Sequence, residues 1–416
     1  MKNIVCRVLL FLLTFTLIIR PEFEFIPLGI NKFFGFIGIL VYNFDRSTRS
    51  SISRDVNISF RPFLNYLLPP LVWSLISLVL NSSTDFYFPA YVISMILAFY
   101  AAYFIAWAYT KVYGTFTYEK FSEYIIIACV VYAFITVVGF INPSFFNSLL
   151  SLIRLDSIAE QSIERTEGTR LIGIGANFFT SALVNGFILI ILGTYIAYEK
   201  RPIFQNTLLF FAFVIIGTVS LMMARTSLFG IIIGGFFIIF SFIKSVKNFI
   251  KYTLIALILA VLARALASFF FNSYFQEFDT LTSFAFEMFI NKSEGGRFES
   301  HSMMHLYEMW ETLPKSLHTW IIGDALWETN DGYYQGVDLG YLRHLWYFGI
   351  VGVLLLIRYY YKTIYVIIYK KHLFAPLHKW LFVSLLFFII ILNAKGPCDL
   401  FIYIIPYYFC KSNFST

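Results

Sequence analysis

Charged residues are scarce in this chain. Asp, Glu, Lys and Arg make up 13% of its 416 residues and hydrophobic residues make up 59%, whereas ordinary globular chains carry about 25% charged residues. This deficit excludes a soluble protein of this size, because too little polar surface remains to cover it. The four cysteines stand singly without CxxC spacing, so the sequence indicates neither a disulfide framework nor a cysteine metal site.

Several chemical motifs are missing as well. We find no GxxxxGK[ST] phosphate loop, no GxSxG nucleophile elbow and no metal-ligand cluster, which disfavours ATP-driven transport and serine hydrolysis. We therefore expect no cofactor and no metal. The aromatic content of 20% suits lipid-facing helices and is no signal for nucleic-acid binding. Because repeats and Pro/Gly-rich linkers are also lacking, residues 1–416 are expected to form a single membrane domain.

Long apolar runs are abundant instead. Crossing about 30 Å of hydrocarbon takes roughly 17 to 25 apolar residues, and about 12 runs approach that length. They span 4–19, 25–44, 62–81, 86–110, 122–141, 173–197, 204–223, 226–243, 250–272, 339–357, 379–394 and 399–410. The sequence thus predicts an all-α, polytopic membrane protein. Its first helix is expected to be retained, because Arg20-Pro21-Glu22 stands where a signal peptide needs small residues for cleavage.

The positions of Lys and Arg predict the orientation. Short basic loops stay in the cytoplasm, and every second loop of this chain is basic. These loops contain Arg46, Arg49, Arg54 and Arg61, then Lys111 and Lys120, Lys200 and Arg201, Lys244, Lys247 and Lys251, and finally Arg358, Lys362, Lys370 and Lys371. Both termini are therefore predicted to be cytoplasmic.

Two loops on the outer side are long, at roughly residues 142–172 and 273–338. Loops of this length in a compact protein usually carry function. Within the second loop, apolar residues recur with helical periodicity from about Arg297 to Glu311. We predict that this segment is an amphipathic helix lying at the membrane surface.

Three arginines lie at or inside outer helix ends, where a charge is costly and usually has a purpose. Arg170 begins the sixth run, Arg225 lies in the tight turn after the seventh, and Arg264 lies inside VLARALASFF. A guanidinium binds phosphate oxygens bidentately and keeps its charge in apolar surroundings, so converging arginines would hold a lipid-linked pyrophosphate. Snorkelling to the interface or a structural ion pair is the alternative for each.

The second long loop contains candidate proton acceptors. Arg297, His301 and His305 are spaced i, i+4 and i+8, so they share one face of a helix, with Glu308 three residues further on. A histidine or carboxylate there would take a proton from a substrate hydroxyl. The alternative is a solvated polar face, and no carboxylate motif supports a zinc site at the two histidines.

Polar side chains also collect at the entrance of the tenth run. Asp338, Tyr341, Arg343 and His344 fall within seven positions of DLGYLRHLWYFGIVGVLLL. An interfacial anchor needs fewer such groups, so we regard this segment as a second candidate for binding and proton transfer.

Together these features resemble the O-antigen polymerase and ligase superfamily of membrane glycosyltransferases. The likeness covers roughly residues 150–355 and depends on three local motifs. They are an arginine opening a helix in TRLIGIGANFF at 169–179, the turn ARTS at 224–227, and a composite of GR at 296–297, IIG at 321–323 and DLGYL at 338–342 running to GIVG at 349–352. Ligases typically carry a His-Asn-like pair where this chain has Asp338-Leu339, which favours a polymerase.

The resemblance implies a GT-C-like fold in the bacterial inner membrane. It also implies transfer of a growing glycan from undecaprenyl pyrophosphate to another lipid-linked repeat unit at the periplasmic face. Besides these repeat units, the implied partners are membrane lipids and a chain-length regulator. The residues expected to bind the donor pyrophosphate are Arg170, Arg225, Arg264, Tyr341 and Arg343, and those expected to assist or accept the proton are Arg297, His301, His305 and Asp338.

Two alternatives stay open at this point. An O-antigen ligase would use the same donor and a lipid A core acceptor. A flippase or another secondary transporter would also have about a dozen helices with intramembrane charges, but should show related halves and broken helices near the midplane. In this chain the polar groups concentrate instead in two unequal outer loops.

Overall fold

The structure, a computed structural model, describes residues 2–154, 163, 169–175, 178–198, 201–243, 275–293, 300–329 and 332–411. The first helices are α1 (Lys2–Ile19), α2 (Ile30–Phe44), α3 (Arg46–Asp55), α4 (Arg61–Leu80), α5 (Tyr87–Tyr113), α6 (Tyr118–Ile141), α7 (Pro143–Leu150) and α8 (Phe178–Tyr198). They are followed by α9 (Ile203–Met223), a 3-10 turn (Arg225–Ser227), α10 (Leu228–Ile243), α11 (Phe275–Ser293), α12 (His301–Trp310) and α13 (Leu317–Ile321).

A small antiparallel hairpin, β1 (Glu328–Thr329) and β2 (Gly332–Tyr333), precedes the last group of helices. That group consists of a 3-10 turn (Tyr334–Gly336), α14 (Gly340–Ile364) with a π-helical extension (Tyr365–Tyr369), α15 (His378–Asn393) and α16 (Phe401–Tyr408). Helix α12 lies inside the range predicted for the amphipathic helix.

The described chain is mostly helical, and six of its helices are long and apolar enough to cross a membrane. They are α4, α5, α6, α8, α9 and α14 with its extension, and four shorter apolar helices accompany them. Large apolar side chains such as Val79, Phe134 and Phe204 lie exposed on the outside of the bundle, as lipid-facing positions do. The expectation of an all-α, multi-pass membrane protein is thereby confirmed at this level. The predicted run at 250–272 lies outside the described residues.

Side-chain caps begin several helices where the sequence changes from apolar to polar. The Asp45 carboxylate accepts from the Thr48 backbone N–H at 3.0 Å before α3. The Asn142 side chain accepts from the Phe145 N–H at 3.1 Å before α7. Such caps satisfy N–H groups that a helix start leaves unpaired, so each helix begins at a defined residue.

The connections segregate to two ends of the bundle. At the basic end, the guanidinium carbon of Arg7 lies 5.9 Å from the centroid of the Tyr113 ring. The Lys411 N–H donates to the Phe116 carbonyl at the same end, with an N–O distance of 2.8 Å. Arg7 and Lys411, near the two ends of the described chain, therefore both lie close to the loop between α5 and α6.

The opposite end, the loop end, gathers residues 20–29, 81–86, 142–154, 169–175, 223–227, 323–340 and 394–400. Hydrogen bonds and ion pairs connect these segments. The Ser83 hydroxyl donates to the Ala325 carbonyl at 2.6 Å, and Arg154 pairs with Glu22 at 3.2 Å. Three of the described candidate residues, Arg170, Arg225 and Asp338, lie in these segments.

Helix α14 is broken near its start at Phe348 and Gly349, where Gly349 has φ +67° and ψ −177°. The break frees carbonyl groups, and each finds a donor: Trp73 Nε1 bonds the Phe348 oxygen at 2.8 Å, and the Ala325 N–H bonds the Tyr347 oxygen at 3.0 Å. Unpaired carbonyls would be costly in a membrane. Two parts of the composite motif meet here, because the glycines of IIG (321–323) and GIVG (349–352) let their backbones touch.

Candidate functional site

Arg170 is positioned by a non-helical segment that threads between helices. The Leu171 N–H donates to the Met222 carbonyl at 3.1 Å, which fixes the segment to the end of α9. Gly175 has φ +83°, and a Cβ on it would lie 2.6 Å from the Ile19 carbonyl oxygen at the end of α1. The segment therefore fits only because residue 175 lacks a side chain, and Arg170 is held beside the turn that follows α9.

Arg225 opens that turn. Helix α9 ends where the Ala224 N–H bonds the Ser220 carbonyl at 2.8 Å. The Ser227 hydroxyl then bonds back to the carbonyls of Ser220 at 2.9 Å and Ala224 at 2.6 Å. These bonds close a single compact turn, so the Arg225 side chain leaves the bundle at a fixed point.

Phe284 on α11 brings the two arginines together. The guanidinium carbons of Arg170 and Arg225 each lie 4.5 Å from the centroid of its ring. One turn further along α11, Glu287 forms an ion pair with Arg225, whose side chain is 12% exposed. Burial lowers the pKa of Arg170, and its Nε has no hydrogen-bond partner among the described residues. Two half-buried cations thus share one aromatic ring and one carboxylate.

Lys395 is the third cation, and the sequence analysis did not single it out. It lies in the loop between α15 and α16, which approaches α14 closely because Gly340 and Gly396 meet backbone to backbone. Burial and the charges of Arg225 and Arg170 lower the pKa of Lys395 to about 8, while Asp338 opposes the shift. We call Arg170, Arg225 and Lys395 the cation cluster. The signal that could have identified it is a lysine in a predicted outer loop, against the alternation of basic loops.

Asp338 lies between the cation cluster and the entrance of α14. Its side chain is exposed at the surface, yet the surrounding protein desolvates it enough to raise the pKa of its carboxyl, against the opposing charges of Arg343 and Lys395. Its backbone N–H contacts Met309 Sδ at 3.5 Å, which places α12 beside it. Asp338 is thus the described carboxylate best placed to accept a proton next to the cluster.

Arg343 is buried in an aromatic stack. Its guanidinium carbon lies 3.9 Å from the ring centroids of both Trp327 and Tyr333. Its Nη2 donates to the Trp327 carbonyl at 3.2 Å and to Glu328 Oε1 at 3.4 Å. This residue therefore holds the β-hairpin onto α14, and its positive charge acts on Asp338 from within the protein.

The other sequence candidates either make contacts elsewhere or lie outside the described residues. The His305 side chain is 55% exposed and pairs with Glu308 at 2.9 Å on the same helix. The Tyr341 hydroxyl donates to the Ile390 carbonyl at 2.8 Å and so joins α14 to α15. His301 is the first residue of α12, but its side chain lies outside the described set, as do Arg264 and Arg297 entirely.

The cation cluster has the chemistry of a phosphate site. Arginine offers a planar pair of N–H donors to phosphate oxygens, and lysine adds a compact positive charge. No family model matches the chain, and no curated protein or solved structure matches it significantly. The family resemblance therefore stays a prediction. What the described residues provide is a group of three cations beside two carboxylates, Glu287 and Asp338, at the loop end.

Proposed function

We propose that this protein polymerises lipid-linked oligosaccharide repeat units at the periplasmic face of the bacterial inner membrane. The observation that carries the proposal is the convergence of Arg170, Arg225 and Lys395 at the loop end, from three separate parts of the chain. A cluster of three cations at the edge of a membrane bundle suits a doubly charged group anchored by a lipid chain. A sugar–pyrophosphate–lipid diester has that form.

The proposed reaction transfers the glycan from its carrier to an acceptor hydroxyl. The bond between the anomeric carbon and the pyrophosphate oxygen breaks, and the electron pair leaves with undecaprenyl pyrophosphate. The acceptor oxygen forms the new bond to the anomeric carbon and gives up its proton. The cation cluster stabilises the negative charge that develops on the leaving pyrophosphate.

Asp338 is the proposed proton acceptor. Its raised pKa brings the carboxyl closer to neutral pH than an exposed aspartate, which makes it a better general base. The charges of Lys395 and Arg343 oppose that rise in pKa and favour the ionised carboxylate, which is the form that accepts a proton. The proposed scheme needs no nucleotide, because the pyrophosphate is already a good leaving group.

The test is the surface-polysaccharide ladder of the host on a gel. The gene is disrupted and then complemented with the wild type, Arg170→Ala, Asp338→Asn or Glu123→Gln. Glu123 is a carboxylate at the basic end, so Glu123→Gln serves as the matched control. We expect the disrupted strain to show core with a single repeat, and only the wild type and Glu123→Gln to restore the ladder.

Other outcomes identify other functions. Polymer that persists on its carrier lipid indicates a ligase, whereas loss of every repeat unit from the outer surface indicates a flippase. An unchanged ladder in the disrupted strain, or a full ladder with an Arg170→Ala protein that inserts normally, contradicts the proposal.

A further inference from the structure

A second polar site is formed in part by the loop that carries Lys395. Asp399, in the same loop, borders a half-open cavity of about 270 Å³ between α5, α14 and Trp327, the residue before the hairpin. A groove of about 610 Å³ continues from it along α2 and α5, and Tyr91 and Asp399 line both spaces. The smaller space, the Asp399 cavity, is just below the roughly 300 Å³ at which drug-sized ligand pockets begin. It has room for one ring-sized molecule.

Two buried side chains that line this cavity contain polar atoms without a hydrogen-bond partner. His344 is 4% exposed and Arg343 is 6% exposed, and both line the cavity. His344 Nδ1 and Arg343 Nε have no hydrogen-bond partner among the described residues. A buried polar atom without a partner costs free energy, so such atoms in a native structure call for an explanation. A bound ligand that hydrogen-bonds to them supplies one.

Asp399 has more acceptor capacity than the fold requires. Its Oδ1 accepts from the Phe401 N–H at 2.8 Å at the start of α16, a task that Asn or Ser also performs. Its Oδ2 accepts from the hydroxyls of Tyr91 and, at 3.4 Å, Tyr359. An ionised carboxylate has about four lone-pair positions. The Leu400 N–H also lies close to the carboxylate, so these bonds leave at most one position for a donor from the cavity.

The walls combine these polar atoms with aromatic surface. The rings of Tyr87 and Trp327 stack with centroids 3.7 Å apart and form one side. The Tyr360 hydroxyl donates its hydrogen bond to the Cys398 carbonyl at 3.0 Å, not to the Asp399 carboxylate. Apolar ring faces beside a few convergent hydrogen-bonding groups match a sugar, which has apolar C–H faces and a rim of hydroxyls.

The charges of the two sites differ. In the Asp399 cavity, the Arg343 guanidinium faces the Asp399 carboxylate and also pairs with Glu328, so no excess of positive charge attracts an anion and a neutral polar ligand is favoured over one. In the cation cluster, three positive side chains face the Glu287 and Asp338 carboxylates, which favours an anion. Because four residues span at most about 14 Å, the Cα atoms of Lys395 and Asp399 lie within that distance of each other. One loop therefore borders an anion site and a neutral site.

We propose that the Asp399 cavity binds one neutral sugar ring of the acceptor, through hydrogen bonds from its hydroxyls to Asp399, His344 and Arg343. This inference rests on the proposed function, since it assigns the second substrate of the same reaction. The acceptor sugar is held at Asp399 while the donor pyrophosphate is bound at the cation cluster, and one loop contributes to both sites. Asp399 and His344 are positioning residues in this scheme.

The binding test uses the full-length protein in nanodiscs with methyl glycosides of glucose, galactose, mannose and N-acetylglucosamine as probes. Saturation-transfer NMR reports which glycosides bind. We expect at least one to bind the wild type, and Asp399→Asn and His344→Gln each to weaken it about tenfold through loss of a buried hydrogen bond. Arg170→Ala and the control Glu123→Gln should bind it as the wild type does.

Asp399→Asn keeps the shape and the acceptor oxygen that cap α16, and Tyr91→Phe offers a second, milder change at the same carboxylate. Each variant is compared with the wild type by gel filtration and thermal melting before binding is measured. Failure of all four glycosides to bind, or equal binding by wild type, Asp399→Asn and His344→Gln, overturns the proposal.

The ladder assay separates this inference from the proposed function. If Arg170→Ala loses the ladder while Asp399→Asn retains it, the polymerase proposal stands and the acceptor site is wrong. If glycoside binding depends on Asp399 while Arg170→Ala retains the ladder, the cavity binds sugar and the polymerase proposal fails. Loss of the ladder in both variants, with glycoside binding lost only in Asp399→Asn, supports both.

Discussion

Arg170 and Arg225 share a single aromatic partner, with each guanidinium carbon 4.5 Å from the centroid of the Phe284 ring. Two like charges held this way repel each other, and the ring face compensates part of that repulsion. An anion that bridges the arginines would compensate the rest. Anion binding by the cation cluster is therefore measurable with a simple probe, dimethyl pyrophosphate. This diester keeps two negative charges across the neutral and basic pH range.

Removal of the shared ring should weaken anion binding. We expect Phe284→Ala to lower the affinity for dimethyl pyrophosphate about tenfold, since contacts between a cation and an aromatic face contribute roughly 0.5–2 kcal/mol each. Phe284→Tyr keeps the ring and should bind as the wild type does. Isothermal titration calorimetry in nanodiscs at fixed ionic strength measures both. Equal affinity of Phe284→Ala and wild type would show that the ring does not position the arginines.

Glu287 competes with a bound anion for Arg225. We therefore expect Glu287→Gln to bind dimethyl pyrophosphate more tightly, by about fivefold, which corresponds to the roughly 1 kcal/mol of a partly exposed ion pair. Glu311→Gln, an exposed carboxylate after α12, is the control and should change nothing. Weaker binding by Glu287→Gln in the same calorimetry would mean that the carboxylate orients Arg225 instead.

Lys395 should make anion binding depend on pH. The pKa of its ammonium is lowered to about 8, and the charged groups that face it are Arg170, Arg225 and Asp338. The arginines keep their charge through this range. Lys395 is protonated below pH 8 and loses its charge above it, so affinity for dimethyl pyrophosphate should be highest near pH 7 and fall as the pH rises through about 8.

Two variants test whether Lys395 causes that dependence. Lys395→Arg keeps a positive charge at pH 9 and should bind there more tightly than the wild type, with a flat profile between pH 7 and 9. The affinity of Lys395→Ala should also be independent of pH, but lower than that of the wild type at pH 7. A wild-type profile that stays flat, or one that survives in Lys395→Ala, would assign the titration to another group.

Gly175 should control both stability and the placement of Arg170. A Cβ at φ +83° and 2.6 Å from the Ile19 carbonyl is strained, so Gly175→Ala is expected to lower the unfolding free energy by about 1–2 kcal/mol and to weaken anion binding. Gly235→Ala in α10, where a Cβ would meet nothing within 4 Å, is the matched control and should be neutral or slightly stabilising. Thermal melting in nanodiscs compares the two variants. A Gly175→Ala protein with the melting temperature and anion affinity of the wild type would contradict the account of this segment.

The sequence by itself determined the helical class, the membrane setting and the alternation of basic loops, because these depend on residue type within a short stretch of chain. It also pointed to Arg170, Arg225, Arg343 and Asp338, since charges beside apolar runs are rare and costly. The described ends of α5, α6 and α9 fall within a few residues of the predicted runs for the same reason.

The tertiary structure alone decided which of these residues meet. Phe284 and Glu287 join the arginines only because α11 packs on α9, and Lys395 joins them only because Gly340 and Gly396 let two backbones touch. The break in α14 at Gly349 likewise depends on donors from α4 and from residues 323–325, far away in sequence. Convergence of side chains is set by packing between distant segments, and hydrophobic periodicity carries no information about it.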